Sequence, residues 1–134
     1  MSALDTNVLV RYIVQDGSSQ LAAAKRLIRL CVAEGSPLFV PVTVVLELER
    51  VLRSSFASGK DDVLMTLSSL FSADELTFES EHALEIALQL FRKESAGFSD
   101  CLHVALATQA GEQPLWTFDK GAATVSSAQP AAKA

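Results

Sequence analysis

Four acidic residues occupy positions from which they could hold a metal ion. They are Asp5, Glu47, Asp100 and Asp119. Three of them follow an apolar run that is predicted to be a strand, and Asp100 opens an apolar helix. Because open α/β sheets build their sites at the carboxyl ends of their strands, we expect these side chains to converge. Clustered carboxylates repel one another unless a cation lies among them. Oxygen ligands suit Mg²⁺ or Mn²⁺, and these ions commonly act on phosphate esters.

Each acid also has an ordinary structural explanation. Asp5 could cap a helix, Asp100 could favour a helix N-terminus, and Asp119 could be a turn residue. Glu47 could be a solvated flank of its helix. Periodicity leaves a further choice open, because Glu47 and Glu49 flank the apolar face of that helix on opposite sides. The sequence has no cluster of cysteines and histidines that would indicate zinc.

Alternating strands and helices must position these acids. Apolar runs predict short strands at residues 2–4, 38–40, 75–78 and 115–118. Amphipathic spacing and turn residues predict helices at about 6–15, 20–34, 44–57, 61–71, 81–91 and 100–110. The predicted helix caps are Thr6 or Asn7, Thr43, Ser80, Ser99 and a serine of the turn at 16–19. This order predicts an α/β fold of three layers (α/β/α), with helices on both faces of a short parallel sheet of about four to five strands.

Composition is that of one globular domain. The chain has 134 residues, of which 49% are hydrophobic and 20% charged, which suffices for a core of its own. We expect a single domain at residues 1–121 and a weakly structured tail at 122–134, where Val125 is the one sizeable apolar residue. The formal net charge of −5 repels nucleic acid unless metal ions or a basic patch compensate.

Several features predict a soluble cytoplasmic protein. Asp5 and Arg11 interrupt the N-terminal apolar run, so no signal peptide is predicted. The longest apolar stretch, residues 38–46, is too short to span a membrane. Cys31 and Cys101 stand singly in apolar helices and are predicted to be reduced thiols.

Four segments, taken in order, resemble the PIN domain. They are Asp5-Thr6-Asn7-Val8-Leu9 followed by Arg11-Tyr12, residues 43–53 (TVVLELERVLR), residues 98–103 (FSDCLH) and Thr117-Phe118-Asp119. The resemblance covers roughly residues 2–121, and the segments look most like those of VapC-type toxins of bacterial toxin–antitoxin pairs. It assigns Glu47 to the site and leaves Glu49 as a surface charge. The chain departs from the family's pattern after Asp119, where a last strand is usual and residues 124–126 are a weak strand candidate.

The resemblance implies a Mg²⁺- or Mn²⁺-dependent endoribonuclease with a PIN-like fold. One or two metal ions would be held by the four acids, and a metal-activated water would attack an RNA phosphate. Thr6 and Asn7 would support the turn after the first strand. Ser99 would cap the helix that begins with Asp100, and Thr117 would position a carboxylate or a water.

The resemblance also implies partners. The substrate would be an RNA, such as a tRNA or an rRNA, and Arg11 and Lys120 could bind its phosphates. A cognate antitoxin could insert an Arg or Lys among the carboxylates in place of the metal, and an isoelectric point near 4.9 suits such a basic partner. We expect a homodimer, and we expect no association with a membrane.

Two other classes of function stay open. The chain could be a PIN-like binding module that has lost its chemistry. It could also be a receiver-like phospho-signalling domain, since such domains cluster acids around Mg²⁺. The receiver class is disfavoured because the second predicted strand ends in Val40-Pro41 and not in a phospho-accepting Asp.

Overall fold

The computed structural model describes residues 2–14 and 19–134. Contacts divide the chain into two compact units, Met1–Glu79 and Ser80–Ala134. Both units combine short parallel strands with α-helices, which confirms the predicted α/β class. The predicted domain boundaries at residues 1–121 and 122–134 stay a prediction.

The first unit is built on one parallel strand pair. Its elements are α1 (Thr6–Val14), α2 (Ser19–Ala33), β1 (Leu38–Val40), α3 (Val42–Ser55), α4 (Lys60–Phe71) and β2 (Leu76–Phe78). In the β1–β2 ladder, Leu38 lies opposite Leu76 and Val40 opposite Phe78. The predicted strand at residues 2–4 is reduced to a single parallel bridge between Ala3 and Phe39.

Helix α1 begins at Thr6, and Asp5 directly precedes it. The Leu9 N–H donates a hydrogen bond to the Asp5 carbonyl oxygen at 3.3 Å, as expected at the first turn of a helix. The predicted caps Thr6 and Asn7 are therefore already inside the helix. The predicted end of this helix at Gln15 and most of the turn at 16–19 lie outside the described residues.

The start of α3 depends on a distant carboxylate. Pro41 occupies the N-cap position in an extended conformation, and its side chain makes no capping hydrogen bond. The Val42 N–H instead donates to Glu79 Oε1 at 2.8 Å, so an acid at the far end of the unit satisfies one of the amides that a helix leaves unpaired. Thr43, the predicted cap, lies inside the helix and is exposed.

A polar contact links α1 to the residue before β2. Tyr12 makes a side-chain hydrogen bond with Glu75. Burial raises the pKa of the Tyr12 hydroxyl above its ordinary value of 10.0, and the negative charge of Glu75 and this hydrogen bond raise it further.

The second unit pairs a helical hairpin with another parallel strand pair. Its elements are α5 (Glu81–Lys93), α6 (Phe98–Gln109), β3 (Leu115–Thr117) and β4 (Ala128–Pro130), with 3₁₀ turns at Ala122–Thr124 and Ala131–Lys133. The rings of Phe91 and Phe98 meet edge to face with centroids 5.7 Å apart, which joins α5 to α6.

Helix α6 begins two residues before the predicted start at Asp100. Gly97 occupies the N-cap position, and no side chain caps the helix. Ser99 therefore lies in the first turn, and its prediction as the cap is wrong. Ser80 does precede α5 as predicted, but its side chain makes no capping hydrogen bond.

Residues 122–134 contain regular structure where the sequence predicts a weakly structured tail. Strand β4 pairs in parallel with β3, and Leu115 lies opposite Ala128. The Leu115 N–H donates to the Ser127 carbonyl oxygen at 2.9 Å. Val125 is buried, at 2% exposure, and anchors this segment. Ala122 and Ala128 are buried as well, and two alanines, one valine and main-chain hydrogen bonds leave no strong sequence pattern.

Two smaller expectations concern cysteines and the membrane. Cys31 is half-buried and Cys101 is buried, and no disulfide is formed by either within residues 2–14 and 19–134. Across residues 2–14 and 19–134, no helix has both the length and the apolar character needed to cross a bilayer.

Candidate active site

The first unit positions Asp5 at the start of α1. The preceding residue, Leu4, is buried, and its N–H donates to the Phe39 carbonyl oxygen at 2.9 Å, which fixes the chain beside β1. The Asp5 side chain is exposed, and its Oδ1 accepts a hydrogen bond from the Thr6 N–H at 2.7 Å. The positive end of the helix dipole favours a negative charge at this place.

Thr6 connects Asp5 to Glu47. Thr6 is 3% exposed, and its hydroxyl donates a hydrogen bond to Glu47 Oε1 on α3. One residue thus binds one oxygen of each carboxylate, through its amide and its hydroxyl. Asp5 Oδ2 and Glu47 Oε2 accept no hydrogen bond within the described part of the chain, and both side chains are exposed. These two predicted site acids are brought together within the first unit.

The two glutamates of α3 have opposite environments. Glu47 is exposed, whereas Glu49 is 3% exposed and forms an ion pair with Arg53 one helical turn later, with Nε 3.1 Å from Oε2. The interpretation of Glu49 as a surface charge is wrong, because its side chain lies inward and the largely exposed guanidinium covers it. The hydrogen bond to Glu49, and then its charge, raise the pKa of Arg53 above its ordinary value.

The second unit carries the other two predicted acids on different elements. Asp100 lies in the first turn of α6 and is half-buried. Asp119 follows β3 and is exposed. Its Oδ1 accepts a hydrogen bond from the Ala122 N–H at 2.9 Å, while its own N–H donates to Thr117 Oγ1 at 3.0 Å. Thr117 therefore holds the backbone of the turn that presents Asp119.

The donor set matches a hard cation. All four acids offer carboxylate oxygens, and three of them are exposed. Mg²⁺ keeps several waters and is usually bound through one or two protein carboxylates together with substrate phosphates. Within neither unit do three or more described His, Cys, Asp or Glu side chains form a group that could hold a metal ion. The first unit contains Asp5 and Glu47, and the second contains Asp100 and Asp119.

A cavity adjoins the start of α1 in the first unit. Its volume is about 360 Å³, and a guanidinium lies in its wall, where Arg11 Nε donates to Gln20 Oε1 at 2.8 Å. Its lining consists of Asn7, Val8, Arg11, Gln20, Ala23, Ala24 and Leu27. Asn7, predicted to support the turn, thus lines a cavity next to it. Lys120, the other predicted phosphate-binding residue, is exposed beside Asp119.

Three features of the site region escaped sequence reasoning. Glu79 caps α3 from 37 positions along the chain, and such a distance leaves no local signal. The Glu49–Arg53 pair does have one, since opposite charges four residues apart share a helix face. The third is the exposure of Phe118, at 87%. Because Phe118 ends an apolar run that predicts a strand, the sequence gives no sign that its side chain is exposed.

Comparison with known proteins adds two findings. The family model described as "PIN domain" matches residues 3–127. Among curated proteins, the chain is similar to a VapC ribonuclease of Aquifex aeolicus (strain VF5), with 22% identity over 120 residues. That alignment covers 90% of this chain and 88% of the relative.

Proposed function

This chain belongs to the PIN domain family, and from that premise we propose that it is a Mg²⁺- or Mn²⁺-dependent endoribonuclease, the toxin of a VapC-type toxin–antitoxin pair. The predicted three-layer α/β/α architecture with parallel strands is the architecture of this family. The relative that is named a VapC ribonuclease supports RNA as the substrate. The observation that carries the proposal is the pair of exposed carboxylates, Asp5 and Glu47, that share the buried Thr6.

We propose that the metal site consists of Asp5, Glu47, Asp100 and Asp119, which together hold one or two ions. The available oxygens of Asp5 and Glu47 support this assignment, because each side chain has one oxygen fixed and one open. When bound, Mg²⁺ or Mn²⁺ supplies Lewis acidity toward a phosphate oxygen and lowers the pKa of a water.

The chain's own residues hold the carboxylates in place. Thr6 fixes one oxygen each of Asp5 and Glu47, so that neither side chain has to be ordered when substrate binds. Thr117 plays the corresponding part for the turn at Asp119 by accepting a hydrogen bond from the Asp119 N–H. We assign Ser99, in the first turn of α6, to the support of Asp100.

Positive side chains near the acids serve the substrate in this proposal. Arg11, whose Nε is held by Gln20, and the exposed Lys120 would bind phosphates of the RNA. A tRNA or an rRNA is the proposed substrate. The net charge of −5 supports a basic antitoxin as the natural partner, and a homodimer and a cytoplasmic location belong to the same proposal.

The test is cleavage of a panel of tRNAs and rRNAs by the purified protein with Mg²⁺ or Mn²⁺. Cleavage should stop when a chelator is added and in an Asp5→Asn variant. A Glu85→Gln variant, which removes an exposed charge on α5, is the matched control and should cut normally. Intact RNA with both metals, and no difference between the wild type and Asp5→Asn, would reject an enzymatic function.

Calorimetric titration with Mn²⁺ separates an active nuclease from a binding module. The wild type should bind the ion, and Asp100→Ala should bind it more weakly. Metal binding without any RNA cleavage would identify a module that has kept its acids and lost its activity.

A further inference from the structure

Two aromatic side chains flank Thr117 on the surface of the second unit. Along β3 the environments alternate, so that Leu115 and Thr117 are half-buried while Trp116 is 49% exposed. Phe118 follows the strand and, at 87%, is the most exposed large apolar side chain among the described residues. Parallel strands normally have both faces covered. Trp116 on the strand and Phe118 directly after it are therefore candidates for a binding surface.

We propose that Trp116 and Phe118 form a stacking surface for unpaired bases of the RNA substrate; this rests on the proposed function. Phe118 directly precedes Asp119, and the Cα atoms of consecutive residues are about 3.8 Å apart. Lys120 follows and is exposed. Aromatic rings, a metal-binding carboxylate and a cation therefore stand within five consecutive residues. In this proposal the rings would stack on a base, while Asp119 and Lys120 would serve the scissile phosphate and a neighbouring phosphate of the same strand.

The charge of the protein favours stacking as the source of affinity. A net charge of −5 gives no general attraction for an RNA backbone. Aromatic stacking does not depend on charge, and every base has a face that can stack. An acidic protein that binds RNA would therefore gain affinity from stacking, in addition to what metal ions and basic side chains supply.

The same reasoning selects single-stranded RNA. In a duplex the bases already stack on one another, whereas bases of loops and ends can be splayed onto a protein surface. Gln129 is exposed and lies directly opposite Trp116 in the β3–β4 register, where its amide could bond to the edge of a stacked base. Binding should accordingly tolerate many sequences but require unpaired bases.

The chain contains its own probe for this contact. Trp116 is the single tryptophan, so intrinsic tryptophan fluorescence reports on this surface alone. The titration uses Asp5→Asn protein with Mg²⁺, which keeps the RNA intact, and a short single-stranded RNA or the same sequence as a duplex. We expect strong quenching by the single strand and much less by the duplex.

Substitutions at Phe118 test the surface without disturbing the core. Phe118→Ala should raise the Kd for the single strand roughly tenfold to a hundredfold, and Phe118→Tyr should restore most of the affinity. Phe56→Ala is the matched control, since Phe56 is an exposed phenylalanine of the first unit, and it should leave the Kd unchanged.

Several outcomes would overturn the stacking surface. One is an unchanged Kd in Phe118→Ala. Another is a Phe118→Ala variant whose sedimentation coefficient differs from that of the wild type while its RNA affinity does not, which would assign the two rings to self-association. Cleavage by the wild type is scored separately: normal cleavage without quenching rejects only the stacking surface, and quenching without cleavage rejects only the nuclease. RNA that is neither bound nor cut rejects both.

Discussion

The buried hydroxyl of Thr6 donates a hydrogen bond to Glu47 and so ties the first turn of α1 to α3. The amide of the same residue donates to Asp5. A threonine with no acid–base chemistry of its own thereby sets the separation of two carboxylates. In the proposed metal site, Thr6 would be a positioning residue whose removal should affect activity more than stability.

Thr6→Val keeps the shape of the side chain and removes the hydroxyl. We expect kcat for RNA cleavage to fall about tenfold, because Glu47 loses its fixed orientation. The free energy of unfolding should drop by about 1 kcal/mol, the usual net value of one hydrogen bond. Cleavage kinetics and urea unfolding measure the two effects. Thr6→Ser retains the donor and should behave nearly as the wild type, and equal losses in both variants would contradict the assignment.

The Glu49–Arg53 pair predicts a stability effect in the same helix. Arg53→Met leaves a buried carboxylate without its cation and should lower the free energy of unfolding by about 1–3 kcal/mol. The lower part of that range is favoured because the guanidinium is largely exposed. Arg50→Met, on an exposed position of α3, is the control and should change stability by less than about 0.5 kcal/mol. Equal effects in both variants would remove the special role of Arg53.

Tyr12 predicts a dependence on alkaline pH. It is the single tyrosine, so an absorbance titration reads its ionisation directly. Its pKa should lie above 10.0, and Glu75→Gln should lower it because a charge and a hydrogen bond are lost. Since the folded state holds this proton more tightly, the stability it contributes is complete below pH 10.0 and is lost as pH rises through the folded-state pKa. A pKa at or below 10.0 in the folded protein would show that the contact is absent.

Metal binding should stabilise the fold. At a concentration one hundred times its Kd, an ion adds about 2.7 kcal/mol, which corresponds to a rise of roughly 5–10 °C in Tm. Asp119→Asn should reduce this rise, while Asp61→Asn, an exposed acid of α4, should keep it. Thermal unfolding with Mg²⁺ and with excess chelator gives the measurement. An identical rise in wild type and Asp119→Asn would exclude Asp119 from the site.

Periodicity predicts the order of the helices but not how they begin. It predicts a helix at about residues 20–34, and α2 spans Ser19–Ala33. Helix α3 begins at Val42, and its first amide donates to Glu79 from the other end of the unit. Rules for helix caps consider only neighbouring residues, so they cannot predict a partner 37 positions away.

The candidate site was predicted less completely than the fold. The role of Thr6 as a bridge between Asp5 and Glu47 requires the packing of α1 against α3, which no spacing in the sequence encodes. The helical wheel leaves Glu47 and Glu49 on opposite flanks of one apolar face. Only tertiary packing decides that Glu49 is buried while Glu47 is exposed. Whether Asp100 and Asp119 complete the metal site stays a prediction.

The single tyrosine lies in the first unit and the single tryptophan in the second. Each unit therefore carries its own intrinsic optical reporter, and no label is needed to follow either one. Coincident denaturation curves for Tyr12 absorbance and Trp116 fluorescence would mean that the units unfold as one cooperative system. Separate midpoints would instead reveal an intermediate in which one unit, with two of the four acids, is unfolded while the other unit is still folded.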